Sequence, residues 1–454
     1  MSLILGIFQH FNPNGMTGGS WRHPDNRAID YLDLDHWTRL AKKLEDGGFD
    51  FLFFADSYGY PTLGDEVIDL ALTEANNIPG PDPIVLLSAI AAATERLGII
   101  STASTLIDKP QVLARRFATL DHLTKGRVGW NIVTGSGQAS SARLFGEAMT
   151  PHDERYAIAE DHVQLSLKLW EGSWEDDAVR ADKEAGVYAD ADKVHEIHHD
   201  GPYFKADGLL MVPPSPQRTP FLVQAGTSGP GRSFAARYAE AVFMSGGEPD
   251  HVAANIADIR RRTIENGRGP DAIKFLIGAS FVTAPTEAEA REKRDKMLSL
   301  ATLEDAATKY AFFTGLDLLA MDLDLPLGGV KTEQGQSNVD RFTGKNGAPV
   351  QTVREILEEY RQNGINGSMF CGTPAQIVDE VEEFISRTGA DGFLIQPYLT
   401  PGTYDDFIEL ILPLLQERGM VEKDKRTGTL REQLSGAGNS RLPATHPGST
   451  FRVP

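Results

Sequence analysis

The sequence predicts a (β/α)8 barrel, and three observations lead there. Short apolar runs of strand composition recur along the 454 residues. Most are followed by a stretch whose apolar residues have helical spacing. Polar side chains then gather just past the carboxyl ends of the runs, where parallel α/β sheets bind ligands. An open, doubly wound sheet uses the same units and stands as the alternative.

The runs are Leu3–Phe8, Phe51–Ala55, Gly98–Ser104, Val128–Val133, Phe221–Ala225, Ala241–Ser245, Phe275–Val282 and Gly392–Gln396. After the first, Leu34, Trp37, Ala41 and Leu44 make one helical stripe, which Gly47-Gly48 ends. Leu113, Phe117, Leu120 and Leu123 make a second, entered by Pro110 and closed at Gly126. Tyr156, Ala159, Val163, Leu167 and Trp170 make a third. Thr373-Pro374 opens a further helix carrying Ile377, Val381 and Phe384. Two stretches break the rhythm. Residues 171–219, rich in Asp, His and Pro, are expected to wrap the outside of the barrel. Residues 302–366 include the loop-like LDLPLGGVKTEQGQSNVDRFTGKNGAP, too long for an ordinary connection, and are expected to form a mobile lid. Residues 1–420 therefore read as one barrel with two insertions. Residues 421–454 read as a C-terminal extension, expected to pack on a neighbouring subunit.

A net charge of −20, from 44 Lys+Arg against 64 Asp+Glu, argues against nucleic acid or an anionic membrane as partner. The one cysteine, Cys371, excludes an internal disulfide and any multi-cysteine metal site. It reads as a small filler. No apolar run approaches the roughly 18 residues needed to span a bilayer, and no leader pattern is visible. A soluble, cytoplasmic protein is expected.

The segment GRVGWNIVTGSGQASSARLFGEAMTPHDERY (126–156) carries the strongest chemical signal. A strand runs into polar Asn131 and Thr134, then a Gly/Ser loop, then a helix opening at Thr150-Pro151. His152 and Tyr156, four residues apart, share one face of its first turns, beside the positive end of the helix dipole. That suits an anionic, hydrogen-bonding cofactor; a capped surface helix is the alternative. Strand 221–225 similarly enters Gly226-Thr227-Ser228-Gly229 before a helix, which reads either as a phosphate cradle or as ordinary N-capping by Thr227 or Ser228. Asp56 closes the apolar run FLFFA and is expected to face the barrel mouth. Ser101, Thr102, Ser104 and Thr105 end the third strand. His10, Asn12, Trp21, Arg22 and His23 follow the first. No helical His-x-x-x-His pair, no Gly-x-Ser-x-Gly elbow and no second phosphate-plus-acid pattern occurs. Metal, hydrolase and nicotinamide chemistry therefore lack carriers.

Several of these segments together resemble the bacterial-luciferase-like superfamily. The similar stretches are WRHPDNR (21–27), FDFLFFAD (49–56), TLDHLTKGRVGWNIVT (119–134), HDERY (152–156), KLWEGSWEDDAV (168–179), VHEIHHDGPYF (194–204), PSPQRTPFLVQAGTSGPGR (214–232) and GTLREQL (428–434). They look most like its two-component flavin monooxygenases acting on nitrilotriacetate, dibenzothiophene sulfone and long-chain alkanes. The resemblance implies a TIM barrel using reduced FMN delivered by a separate flavin reductase. It further implies that O₂ and the flavin form a hydroperoxide, which inserts one oxygen atom into a small organic substrate. Asp56, Thr102, His152, Tyr156 and Ser228 match the family's FMN contacts by position, with Asn131 and Thr227 as neighbours. Catalysis is assigned to His152, Asn131 and His10, and the substrate wall to Phe8, Asn12, Tyr60 and Ser136. A homodimer or homotetramer is expected. A deazaflavin-dependent oxidoreductase on the same barrel, or a non-catalytic flavin-binding protein, stays open. The chain departs from the alkane-hydroxylating relatives, having Asn12 and Gly15 where they place a Cys and a His, and Ser136 where they place a second His. The substrate expected is a sulfur- or nitrogen-bearing compound with a polar handle.

Overall fold

Each apolar run becomes a strand: β1 (Ile4–His10), β2 (Phe51–Ala55), β3 (Gly98–Ser104), β4 (Val128–Val133), β5 (Phe221–Gln224), β6 (Ala241–Ser245), β7 (Lys274–Thr283) and β8 (Gly392–Ile395). The computed structural model describes residues 2–15, 18–226, 228–344, 350–363 and 368–453. All eight strands pair in parallel with their sequence neighbours, and β8 returns to β1 with Ile4 opposite Gly392. The sheet is thus a closed barrel, and the open-sheet alternative falls. A further short strand, Met369–Gly372, pairs with the carboxyl end of β7.

The helices follow from local signals. In α1 (Leu34–Asp46) the Asp33 side chain accepts from Asp35 N, and Gly47 caps the end. The other helices that position the site are α2 (Leu87–Ala93), α3 (Pro110–Leu123), α4 (His152–Gly172), α5 (Gly229–Tyr238) and α6 (Pro249–Glu265). Their apolar stripes pack on the outer faces of the strands in one continuous core. The stripes are shorter than the sequence suggested, because Leu34 and Leu123, at helix ends, are 51% and 59% exposed. A second core fills the barrel, with Phe8, Phe51, Phe53, Phe221 and Phe243 at its centre. Each such ring contributes about 1.5–3 kcal/mol by leaving water.

Residues 171–219 form two antiparallel hairpins, Val179–Asp182 with Val187–Ala189 and Ile197–Asp200 with Lys205–Gly208. Asp161 of α4 anchors the second by accepting from Tyr203 N and Phe204 N at 2.9 and 2.8 Å. The 302–366 stretch is built on α7 (Leu303–Thr314) and α8 (Val353–Asn363), and α7 opens with a Thr302–Asp305 capping box. Tyr310, Leu318, Phe342, Ile356 and Tyr360 form a separate small core between them. Helix α9 (Pro374–Thr388) opens with a Thr373–Gln376 capping box.

The C-terminal tail packs on its own chain. It closes the chain's own barrel: α10 (Leu430–Ser435) sends Leu430 and Leu434 into the inner core from the amino-terminal end of the strands. Gly98 makes room for it, since a Cβ there would meet Leu430 Cδ1 at 2.5 Å. Arg431 then pairs with Glu240 through two hydrogen bonds of 2.6 and 2.9 Å. Without this plug, the apolar inner faces at that end would meet water.

Candidate functional site

The strand carboxyl ends surround a cavity of about 350 Å³. Its base is aromatic: Phe8 stacks on Phe53 at 5.6 Å between centroids, and both lie 5.9 Å from Phe243. Polar side chains line it as well, supplied by strand ends, by the loops after them and by helix α4.

On β3 and β4, Thr102 and Asn131 stand opposite one another. The Thr102 hydroxyl donates to the Phe54 carbonyl at 2.8 Å, so its oxygen accepts from Asn131 Nδ2 at 2.9 Å. A hydroxyl has one proton to give, which fixes the amide with Oδ1 away from Thr102. That Oδ1 is buried and has no donor among the described residues.

At the end of β2, Asp56 lines the cavity and accepts from Ser57 N at 2.8 Å. Burial, with Asp82 and Asp108 nearby, pushes its carboxyl up to about 7. His10 ends β1 with its ring 4.9 Å from Phe8. Burial, together with the Lys309 charge from α7, pushes it down to about 3, so the imidazole is neutral.

Helix α4 supplies the HDERY segment. His152 and Tyr156 meet with centroids 5.5 Å apart, and the His152 Nδ1 lies 2.9 Å from Asp153 Oδ1. The Tyr156 hydroxyl is raised by burial, with Ser228, Arg155 and Thr134 near enough to oppose the rise. It also fills a notch made by two glycines: a Cβ on Gly226 or Gly231 would stand 2.6 or 2.7 Å from that hydroxyl. Ser228 caps α5, accepting from Gly231 N at 3.2 Å, so the capping alternative holds for this residue. The amino end of α4 is likewise occupied, because His152 N donates to Glu333 Oε2 at 3.3 Å.

Residues 302–366 complete the wall with Phe312, Phe313, Gln334, Ser337 and Asn338. The phenyl rings of Phe312 and Phe313 cross edge to face at 4.8 Å. Gly137 allows the contact, since a Cβ there would meet Phe312 Cε2 at 2.7 Å.

Most of the sequence-predicted residues meet here: Phe8, His10, Asn12, Asp56, Thr102, Asn131, Ser136, His152, Tyr156 and Ser228 all line the cavity. Thr227 lies outside the described residues. Tyr60 stands apart from these. It does not line the cavity, and its backbone is held by Ser140 Oγ at 2.9 and 2.7 Å. Arg22 also lies away, on Glu74 and the Leu300 carbonyl. Asn14 is committed to the backbone of Trp21, Glu74 and Ala75. Sequence reasoning missed Arg155 and Gln224, which line the cavity, and both carried a visible signal. Arg155 sits inside HDERY, and Gln224 is the polar residue ending the apolar run FLV.

Comparison with known proteins bears on this geometry. The family described as luciferase-like monooxygenase matches residues 7–392. The chain is 38% identical to dimethyl-sulfide monooxygenase of Hyphomicrobium sulfonivorans, over 99% of this chain and 94% of that one. It is 41% identical to long-chain alkane monooxygenase of Geobacillus thermodenitrificans, over 96% and 94%. Among solved structures, a riboflavin lyase with modified FMN and riboflavin superposes with a TM-score of 0.96, 40% identity and full coverage of both chains.

Proposed function

We propose, since the chain belongs to the luciferase-like monooxygenase family and is a flavin-dependent monooxygenase, that its flavin is reduced FMN supplied by a separate reductase. One oxygen atom of O₂ then goes to a small organic substrate. The observation that carries this reading is the Thr102–Asn131 pair. It leaves a buried acceptor without a donor among the described residues in the wall of a cavity that Tyr156 and Ser228 also line. Such an acceptor suits a ring rich in N–H groups, and the two hydroxyls suit a phosphate or ribityl chain.

When bound, reduced FMN supplies the activation of O₂ and the oxygen transfer. The chain's residues position and shield. Asn131, with Gln224 beside it, would hold the ring edge. Tyr156 and Ser228 would hold the phosphate end. His152 would stand over the mouth, and Phe312 and Phe313 would keep water off the reacting side. His10 is neutral and can donate or accept one hydrogen bond without bringing charge into the site.

The substrate proposed is a sulfur- or nitrogen-bearing compound with its own polar groups. Asn12 and Ser136 offer such a molecule hydrogen bonds. The full-length match to a riboflavin lyase favours one specific candidate, a nitrogen heterocycle bearing a polyol chain, with riboflavin as its test compound. The deciding experiment supplies reduced FMN from any flavin reductase and scores oxygenated product against riboflavin, dimethyl sulfide, dibenzothiophene sulfone and hexadecane. A parallel arm replaces reduced FMN with reduced deazaflavin. Oxygenated product with FMN alone supports the reading. Turnover with deazaflavin and no O₂ uptake would overturn it.

A further inference from the structure

Among the described residues lining the cavity, Arg155 is the only Lys or Arg. In a chain of net charge −20 this is a notable placement. Its side chain is 1% exposed, and no carboxylate oxygen of the described residues comes within 4.0 Å. Its Nη2 donates to the carbonyls of Glu333 and Gln334 at 2.6 and 3.2 Å, while its buried Nε finds no acceptor. Burial holds the guanidinium below its ordinary range. The Glu333 charge offsets only part of that burial and forms no hydrogen-bonded ion pair with the guanidinium, so an anion entering the cavity would stabilise it further.

Its neighbours indicate what the missing partner is. Tyr156 is the next residue on α4, its hydroxyl near Ser228 and wedged over Gly226 and Gly231. A guanidinium, a phenol and a serine hydroxyl lining one cavity make a donor set for a tetrahedral oxyanion.

We propose that Arg155 reads the phosphate of the cofactor, distinguishing FMN from riboflavin, and that it ties phosphate binding to the 333–338 segment. This rests on the FMN reading above. The tie follows from connectivity. The same guanidinium that would meet the phosphate holds the Glu333 and Gln334 carbonyls, and Glu333 in turn accepts from the amino end of α4. Gln334, Ser337 and Asn338 line the cavity, so a phosphate that orders Arg155 also orders part of the wall toward substrate.

The test compares two ligands that differ only in the phosphate. Wild type, Arg155→Gln and Arg155→Lys are titrated anaerobically with reduced FMN and with reduced riboflavin, after circular dichroism melting confirms each is folded. Arg155→Gln should weaken reduced FMN by about 10- to 100-fold, the usual scale for a charge-assisted bond. Its affinity for reduced riboflavin should be unchanged. Arg155→Lys, which keeps the charge and loses the fork, should fall between. In wild type, trypsin cleavage at Lys331 and Arg341 should slow with FMN and not with riboflavin, a readout that needs no variant. Equal losses for both flavins, or equal protection by both, would overturn the assignment. Failure of wild type to bind either flavin would instead bring down the cofactor reading beneath it.

Discussion

Asn131 donates to Thr102 at 2.9 Å across the β3–β4 pair, and the direction of that bond is fixed by Phe54. Because the Thr102 proton is committed to the Phe54 carbonyl, the Asn131 amide cannot turn over without leaving its Nδ2 buried and unpaired. The site therefore holds an acceptor of set orientation. A reduced isoalloxazine carries more N–H donors than an oxidised one, so under the proposed FMN reading this pair would favour the reduced ring.

Thr102→Val should expose that dependence. It removes the hydroxyl at the middle of the relay and leaves the buried Asn131 amide without its acceptor, at a cost of about 1–3 kcal/mol in urea unfolding. The freed amide should also narrow the preference for reduced over oxidised FMN in paired anaerobic and aerobic titrations. Thr102→Ser keeps the hydroxyl and should behave as wild type. An unchanged redox preference in Thr102→Val would separate Asn131 from the flavin.

Asp56 sets a pH dependence. Its carboxyl ordinarily titrates at 3.8 and in the fold at about 7, raised by burial and then by Asp82 and Asp108. Below 3.8 it is protonated in both states and makes no difference. Between 3.8 and 7 only the unfolded chain ionises, so stability is lost as pH rises, and above 7 the loss is complete. The raised value bounds that loss at about 4 kcal/mol. Asp56→Asn keeps the acceptor for Ser57 N and removes the titration. It should be more stable than wild type at pH 8.5 by about 1–4 kcal/mol, with the gap shrinking toward pH 4. A gap of the same size at both pH values would show that Asp56 titrates normally.

The tail's ion pair should be strongly structural. Arg431 and Glu240 are 1% and 5% exposed, so Arg431→Met strands a buried carboxylate. Losing one partner of such a pair costs about 3–5 kcal/mol, which thermal unfolding should register as a large drop in Tm. Adding Glu240→Gln should recover part of it. A Tm within a degree of wild type for Arg431→Met would mean that the plug contributes little.

What the sequence revealed and what it hid divide along a physical line. The strands were legible because a fully buried parallel strand needs a near-continuous apolar run, and β2 (FLFFA) shows one. Thr102, Asn131 and Asp56 were legible because polar residues at strand ends face the mouth of such a barrel. Arg155 was harder. Nothing local separates a buried arginine from a solvated one on a helix, and its partners, Glu333 and Gln334, are nearly 180 residues away. The place of Tyr60 beside this cavity was equally hidden, since its backbone is held by Ser140, 80 residues on. The C-terminal plug was hidden because Leu430 and Leu434 gain their meaning only from the barrel end they fill.

The last prediction concerns substrate. Long unbranched alkanes should be poor substrates, because Asn12 and Ser136 present polar groups on the cavity wall. An apolar chain cannot satisfy them, and a buried polar group left unpaired costs about 1–3 kcal/mol. Gly15 adds a backbone reason. A Cβ there would stand 2.5 Å from the Tyr398 carbonyl oxygen and 2.6 Å from that of Pro397, so no histidine fits without moving the loop after β8. The difference from alkane-hydroxylating relatives thus extends past side chains. Asn12→Cys with Ser136→His should therefore not create efficient alkane hydroxylation, and adding Gly15→His should lower stability rather than rescue activity. Product analysis with hexadecane and a reductase-fed supply of reduced FMN checks this, with kcat/KM for wild type expected at least about 10-fold below that for the best nitrogen- or sulfur-bearing compound. Well-coupled hexadecane oxidation by wild type would overturn the argument from the cavity wall, and efficient turnover by the triple variant would overturn the argument from Gly15.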